Sequence, residues 1–143
     1  MSRSGYSEDN YGNWRSICWR GAVESALRGK RGQAFLRELA DAMDAMPKKQ
    51  LVTGVLESDG EVCTLGVIAK ARGVQAKNPE FMDEAAELLD IAGAMAREIV
   101  HENDDAGEYA NCNPQTGRYE PETPEQLWVR MRKWVEIQLS REA

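Results

Sequence analysis

Between residues 81 and 100 the apolar side chains recur at steps of three and four, and this period constrains the fold more than any other feature of the sequence. Such spacing places side chains on one face of an α-helix, whereas a strand would need alternation. Asn78-Pro79-Glu80 comes just before the run and has the side chains that favour a helix start. The pattern therefore predicts a long core helix over 79–101. Its apolar stripe consists of Phe81, Met82, Ala85, Leu88, Leu89, Ala92, Met95, Ala96, Ile99 and Val100.

Weaker helical periods occur on both sides of this segment, and turn residues separate them. The glycines of the segment 28–33 separate the first two helices, and Pro47 ends the second because proline disfavours helix in the residue before it. Asp59-Gly60 indicates a hairpin turn, so residues 50–62 form either a short hairpin or an extended linker. The predicted helices are 13–28, 33–46, 62–72, 79–101 and 123–140.

These segments predict a mainly α fold: an irregular bundle of about five helices with at most a small two-stranded β-ribbon. A chain of 143 residues suits one domain, which we place at 13–143. Residues 1–12 lack periodicity and are expected to form a flexible N-terminal arm unless Tyr6 or Tyr11 docks on the body. The loop 102–122 is polar and turn-rich, a character typical of functional or disordered loops.

Composition narrows the class of protein. The sequence contains no run of roughly 20 apolar residues and no apolar signal-peptide core near its start, so we expect a cytoplasmic protein that does not bind membranes. Three widely spaced cysteines and a single histidine do not form a disulfide framework or a zinc motif. Phosphate-binding, dinucleotide-binding and hydrolase motifs are also missing, so no metal or cofactor is expected.

The first candidate site is basic. Residues 1–50 carry nine Lys and Arg against six Asp and Glu, whereas residues 51–143 carry nine against eighteen, within a net charge of −6. Arg28, Lys30 and Arg31 cluster in the turn between the first two helices, where they could grip phosphate or an acidic protein surface. Trp19 lies next to Arg20 and off its apolar stripe, so it is a candidate exposed anchor. A solvated connection would explain the same basic residues without any partner.

The second candidate site is the acidic run that contains Asp104, Asp105 and Glu108. Its carboxylates could bind a hard cation, although the spacing fails the EF-hand pattern, or they could mimic nucleic acid toward a basic partner. A solvated helix end is the simpler interpretation, because acidic runs usually just face water.

A third hypothesis is an enzyme with an unfamiliar site. Cys63 stands at a predicted helix start, where the helix dipole could lower the pKa of its thiol. The base would have to be His101, brought back to Cys63 by the long helix. A buried structural cysteine is the simpler interpretation.

Four segments resemble a group of small, mostly uncharacterised proteins encoded by bacteriophages and prophages, and the resemblance covers most of the chain. The segments are WRGAV (19–23), RGKRGQAFLREL (28–39), GEVCTLG (60–66) and TPEQLWVRMRKWV (123–135). The resemblance implies an accessory phage protein, a class in which small acidic domains often bind and block host machinery, including CRISPR–Cas and other defence complexes. It provides no catalytic residues to carry over.

The leading hypothesis is therefore a non-enzymatic protein that occupies a host protein surface. The alternative is a nucleic-acid-binding regulator, in which the first helical hairpin presents its cations to phosphate. An enzyme is the third. Methionines and leucines on several stripes leave a homodimer open.

Overall fold

The computed structural model describes residues 3–6, 14–74, 78–79, 82–107 and 111–140. Within these ranges the fold is mainly α, with six helices and one small antiparallel ribbon, which confirms the predicted class. The helices are α1 (Trp14–Arg28), α2 (Lys30–Asp44), α3 (Thr64–Ala71), α4 (Met82–Leu89), α5 (Gly93–Asp104) and α6 (Pro124–Leu139). The strands are β1 (Glu57–Ser58) and β2 (Glu61–Val62). None of these helices is long and apolar enough to cross a bilayer.

The connection between α1 and α2 is shorter than predicted. Only Gly29 separates the two helices, so Lys30 and Arg31 lie in the first turn of α2 and not in a six-residue turn. Gly32 is required for a different reason, since a Cβ at this position would overlap the carbonyl oxygen of Ala26 in α1. The glycine thus allows the two helices to cross closely.

The predicted helix 79–101 is two helices. Asp90 adopts a left-handed backbone with φ of 55°, and the Ile91 amide donates to the Ala86 carbonyl at 3.0 Å. This is the Schellman arrangement that ends a helix. Ala92 then has extended backbone and α5 begins at Gly93. Leu88 of the predicted stripe is exposed, because the buried face of α4 consists of Met82, Ala85, Ala86 and Leu89.

The side chain of Asn78 makes contacts that its sequence context does not predict, whereas the helix start predicted at residues 79–81 lies partly outside the described residues. Its amide oxygen accepts hydrogen bonds from the backbone N–H groups of Leu56 and Glu57, at 2.8 and 3.2 Å, and its amide nitrogen donates to the Glu57 carbonyl. Asn78 therefore braces the start of the ribbon. The ribbon turns at Asp59-Gly60, both with positive φ, which confirms the predicted hairpin.

Helix α3 lies at the centre of the molecule, as its apolar sequence predicts. Thr64 to Ala69 are all buried, and α3 contacts α2, α5 and the ribbon. The core around it includes the fully buried side chains of Leu36, Leu39, Met43, Leu65, Ile68, Met95, Ile99 and Met131. Helix α6 packs against α2 and begins with a reciprocal cap, in which Thr123 and Gln126 each accept the other's backbone N–H. The core is therefore built mainly from helix–helix contacts, of which the α2–α6 and α4–α5 pairs are the most extensive.

Candidate functional site

The predicted basic site is not a single open patch. Arg20 donates to the Glu98 carboxylate at 2.7 Å, Arg28 lies 3.4 Å from Glu24, and Arg31 lies 3.7 Å from Asp90. Lys30 is exposed in the first turn of α2. Because three arginines already face carboxylates, little uncompensated positive charge remains along this helical hairpin.

Trp19 is not the exposed anchor that the sequence predicts. Its ring is partly buried against the core, meets Tyr6 edge to face with centroids 5.8 Å apart, and has the Arg97 guanidinium 5.4 Å from its centre. These contacts hold Trp19 inside the fold, so its indole face is already covered.

The acidic run is also not a solvated helix end. Two guanidinium nitrogens of Arg3 donate to the Asp104 carboxylate, which also accepts from the Gly54 N–H at 3.2 Å. The Asp105 carboxylate lies 3.0 Å from Nδ1 of His101. Glu108 lies outside the described residues. The two described carboxylates therefore anchor neighbouring segments instead of presenting a free acidic surface.

Residues 3–6 of the predicted arm lie against α5. We call the contact surface the N-terminal junction, and it consists of residues 3–6, residues 98–105, and Trp19 and Arg20 of α1. Tyr6 is central to it. Its hydroxyl donates to Glu98 at 3.2 Å, and its ring lies 4.7 Å from the His101 ring, centre to centre. Tyr6 thus docks on the body, which was one of the two predicted alternatives. Flexibility of the rest of the arm stays a prediction, because those residues lie outside the described ranges.

Below the junction, Asn103 connects three segments of chain and is almost fully buried. Its amide oxygen accepts from the Thr64 backbone N–H at 3.1 Å and from the Thr64 hydroxyl at 2.7 Å, and its amide nitrogen donates to the Val52 carbonyl at 3.1 Å. Asn103 therefore joins α5 to the start of α3 and to the strand-like segment before the ribbon.

Burial raises the pKa of an acid in this region, whereas ion pairing with a cation lowers it. Burial alone would raise the pKa of Asp104, but the hydrogen bonds from Arg3, Asn103 and Gly54 hold that pKa below its ordinary value. At Glu102 burial, with a contribution from the Glu98 charge, outweighs the nearby charges of His101, Arg130 and Arg20 and raises the pKa. Burial likewise raises the pKa of the Tyr6 phenol. The ionised form is thus favoured at Asp104 and disfavoured at Glu102.

The geometry gives the enzyme hypothesis little support. Ser4, His101 and Asp105 are residue types of a hydrolytic triad, but here Asp105 lies between the other two, with the Ser4 hydroxyl 3.5 Å away and almost completely buried. A triad needs the histidine between the serine and the acid. Cys63 is fully buried at the N-cap of α3, as the simpler interpretation predicts. Among the described residues, no group of three His, Cys, Asp or Glu side chains is placed to hold a metal ion.

An apolar depression that none of the predicted sites includes lies between the end of α2, α3 and the ribbon, and we call it the α2–α3 groove. It has a volume of about 460 Å³. Met46, Val52, Val62, Val67 and Ala71 line it, with Lys48, Lys70 and Glu61 at its rim. Sequence analysis missed it, because these residues come from four separate segments and none is unusual alone.

Three comparisons place the chain beside no known protein: no family model matches it, and neither curated proteins nor solved structures include a significant match.

Proposed function

We propose that this chain is a phage-encoded, non-enzymatic accessory protein that binds a host protein in the bacterial cytoplasm and modulates or inhibits it. A host defence complex of the CRISPR–Cas kind is the target class that the sequence resemblance implies. The proposal needs a surface on which a protein partner can dock.

The α2–α3 groove supports the proposal, because it is a mostly apolar depression of about 460 Å³ with lysines at its rim. Apolar concavities with a few polar groups at the edge are the usual form of binding sites. The groove is also separate from the N-terminal junction, whose charged groups bind one another.

Nucleic-acid binding has less support. A nucleic-acid surface needs lysines and arginines that are free to replace counterions on phosphates. Arg20, Arg28 and Arg31 instead face Glu98, Glu24 and Asp90, and the whole chain has a net charge of −6.

The test is an affinity capture of tagged full-length protein from bacterial lysate, with and without nuclease, followed by mass spectrometry and direct detection of nucleic acid. We expect a host protein in stoichiometric amount that survives nuclease treatment. The activity of that captured complex, measured with and without added protein, then distinguishes modulation from passive binding.

Two variants of the bait make the capture specific. Ala71→Trp fills the groove from an exposed position at the end of α3 and should abolish recovery of the partner. Lys133→Glu, on the outer face of α6, should leave recovery unchanged. The proposal is overturned if no host protein is recovered in stoichiometric amount, or if every partner disappears with nuclease.

A further inference from the structure

The floor of the α2–α3 groove is built from aliphatic side chains. Met46 and Val52 are half-buried, so part of their apolar surface stays uncovered, whereas Val62 and Val67 are almost fully buried. Removing such exposed apolar surface from water favours binding of a partner. The groove therefore favours an occupant that carries a few apolar side chains.

The rim determines the charge of that occupant. Lys48 follows the end of α2 and Lys70 lies on α3; both residues line the groove and both side chains are exposed. Lys49 does not contribute, because its ammonium donates to the carbonyls of Asp44 and Met46. Within the part of the chain that the structure describes, Lys70 makes a long contact of 3.4 Å with the Gly60 carbonyl, which a carboxylate would readily replace.

We propose that the α2–α3 groove binds a short segment of a partner protein in which a few apolar side chains are flanked by carboxylates. This inference rests on the proposed function and specifies the chemistry of the partner. The apolar side chains lie on the valine and methionine floor, and the flanking carboxylates pair with Lys48 and Lys70. Glu61 is the one rim group that opposes them.

The test measures binding of three labelled synthetic peptides to the full-length protein by fluorescence anisotropy. The first has a Leu-Phe-Leu core between runs of Glu, the second has the same core between runs of Lys, and the third has a Ser core between runs of Glu. We expect the first to bind at least about tenfold more tightly than either of the others, which corresponds to about 1.4 kcal/mol. General attraction cannot produce this preference, since the protein has a net charge of −6.

Variants locate the binding. Lys48→Glu combined with Lys70→Glu should weaken the first peptide by about tenfold or more, and Ala71→Trp should weaken it to a similar extent by occupying the floor. Glu61→Gln should strengthen it. Lys133→Glu makes the same charge reversal outside the groove and should change binding by less than about twofold.

Equal binding of the acidic and basic peptides, or unchanged binding in the double lysine variant, overturns the inference. These results are distinguishable from failure of the proposed function. A host protein that is captured equally by wild type and by the double lysine variant leaves the function intact and removes this inference. Selective binding of the acidic peptide without any captured host protein supports the groove chemistry and overturns the proposed function.

Discussion

Charged side chains are paired with one another at the N-terminal junction, whereas they are exposed at the α2–α3 groove. At the junction Arg3 is paired with Asp104 and Arg20 with Glu98, each through a hydrogen bond shorter than 3 Å, so their charges stabilise the fold. At the groove Lys48 and Lys70 project from an apolar depression toward solvent. The difference indicates that charge density in the sequence does not identify a binding surface, because the charges that matter for binding are the ones the fold leaves unpaired.

The largest expected effect is at the base of the junction. Asn103→Ala removes the acceptor of the Thr64 N–H and hydroxyl and the donor to the Val52 carbonyl, and leaves buried polar groups unpaired. We expect a loss of about 3 kcal/mol in the free energy of unfolding, measured by urea denaturation. Asn113→Ala, whose hydrogen bonds lie in an exposed turn, should cost less than about 1 kcal/mol. Equal losses in the two variants would contradict the central role of Asn103.

Arg3→Ala should have the next largest effect, about 2 kcal/mol at neutral pH. The loss stays below that of a fully buried pair because the short N-terminal segment can move away and let water reach Asp104. Arg118→Ala, an exposed arginine in the loop before α6, is the matched control and should change stability by less than about 0.5 kcal/mol.

The pH dependence of the Arg3→Ala variant tests the same pair. Because the folded pKa of Asp104 is held below its ordinary value, the stability from the pair is fully present above the unfolded pKa of about 4. It is lost as the pH falls through the folded pKa. The difference between wild type and variant should therefore shrink below about pH 4, and a constant difference at pH 7 and pH 2 would exclude the Asp104 pair as its source.

Glu102→Gln should stabilise the protein, because Glu102 is the junction acid whose ionised form the fold disfavours. Its folded pKa is raised by burial and by Glu98, so its cost is present above the folded pKa and disappears below the unfolded pKa of about 4.3. We expect a gain of about 1 kcal/mol at pH 7 and none at pH 4, measured by urea denaturation. Glu87→Gln, an exposed change on α4, is the control and should leave the stability unchanged at both pH values. A gain from Glu102→Gln that persists at pH 4 would point to a packing effect.

Local patterns predicted most of the fold because helix periods, glycines and prolines act within a few residues. The starts of α3 and α6 fall within two residues of their predicted positions. The break at Asp90 was missed because the apolar period continues across it, and because the left-handed residue there is an aspartate and not a glycine. The bracing role of Asn78 was missed because the ribbon residues that it contacts lie 21 and 22 residues earlier in the sequence.

The candidate sites were less predictable, because pairing depends on contacts that spacing does not encode. Arg3 and Asp104 are 101 residues apart, so the acidic run appears free until the N-terminal segment is placed on α5. The only local signal was the tyrosine at position 6, an aromatic residue within a polar segment. The groove had no signal at all, since its lining combines four separate segments: the residues after α2, the residues before the ribbon, β2 and α3.

The smallest expected effect on the free energy of unfolding is that of substituting the two groove lysines. Lys48→Glu and Lys70→Glu, alone or together, should change the free energy of unfolding by less than about 0.5 kcal/mol per substitution. The reason is that both side chains are exposed and neither takes part in an ion pair among the described residues. Urea denaturation of both variants beside Lys133→Glu provides the measurement. A loss comparable to that of Arg3→Ala would show that the groove lysines also serve the fold, and the distinction between paired junction charges and unpaired groove charges would no longer hold.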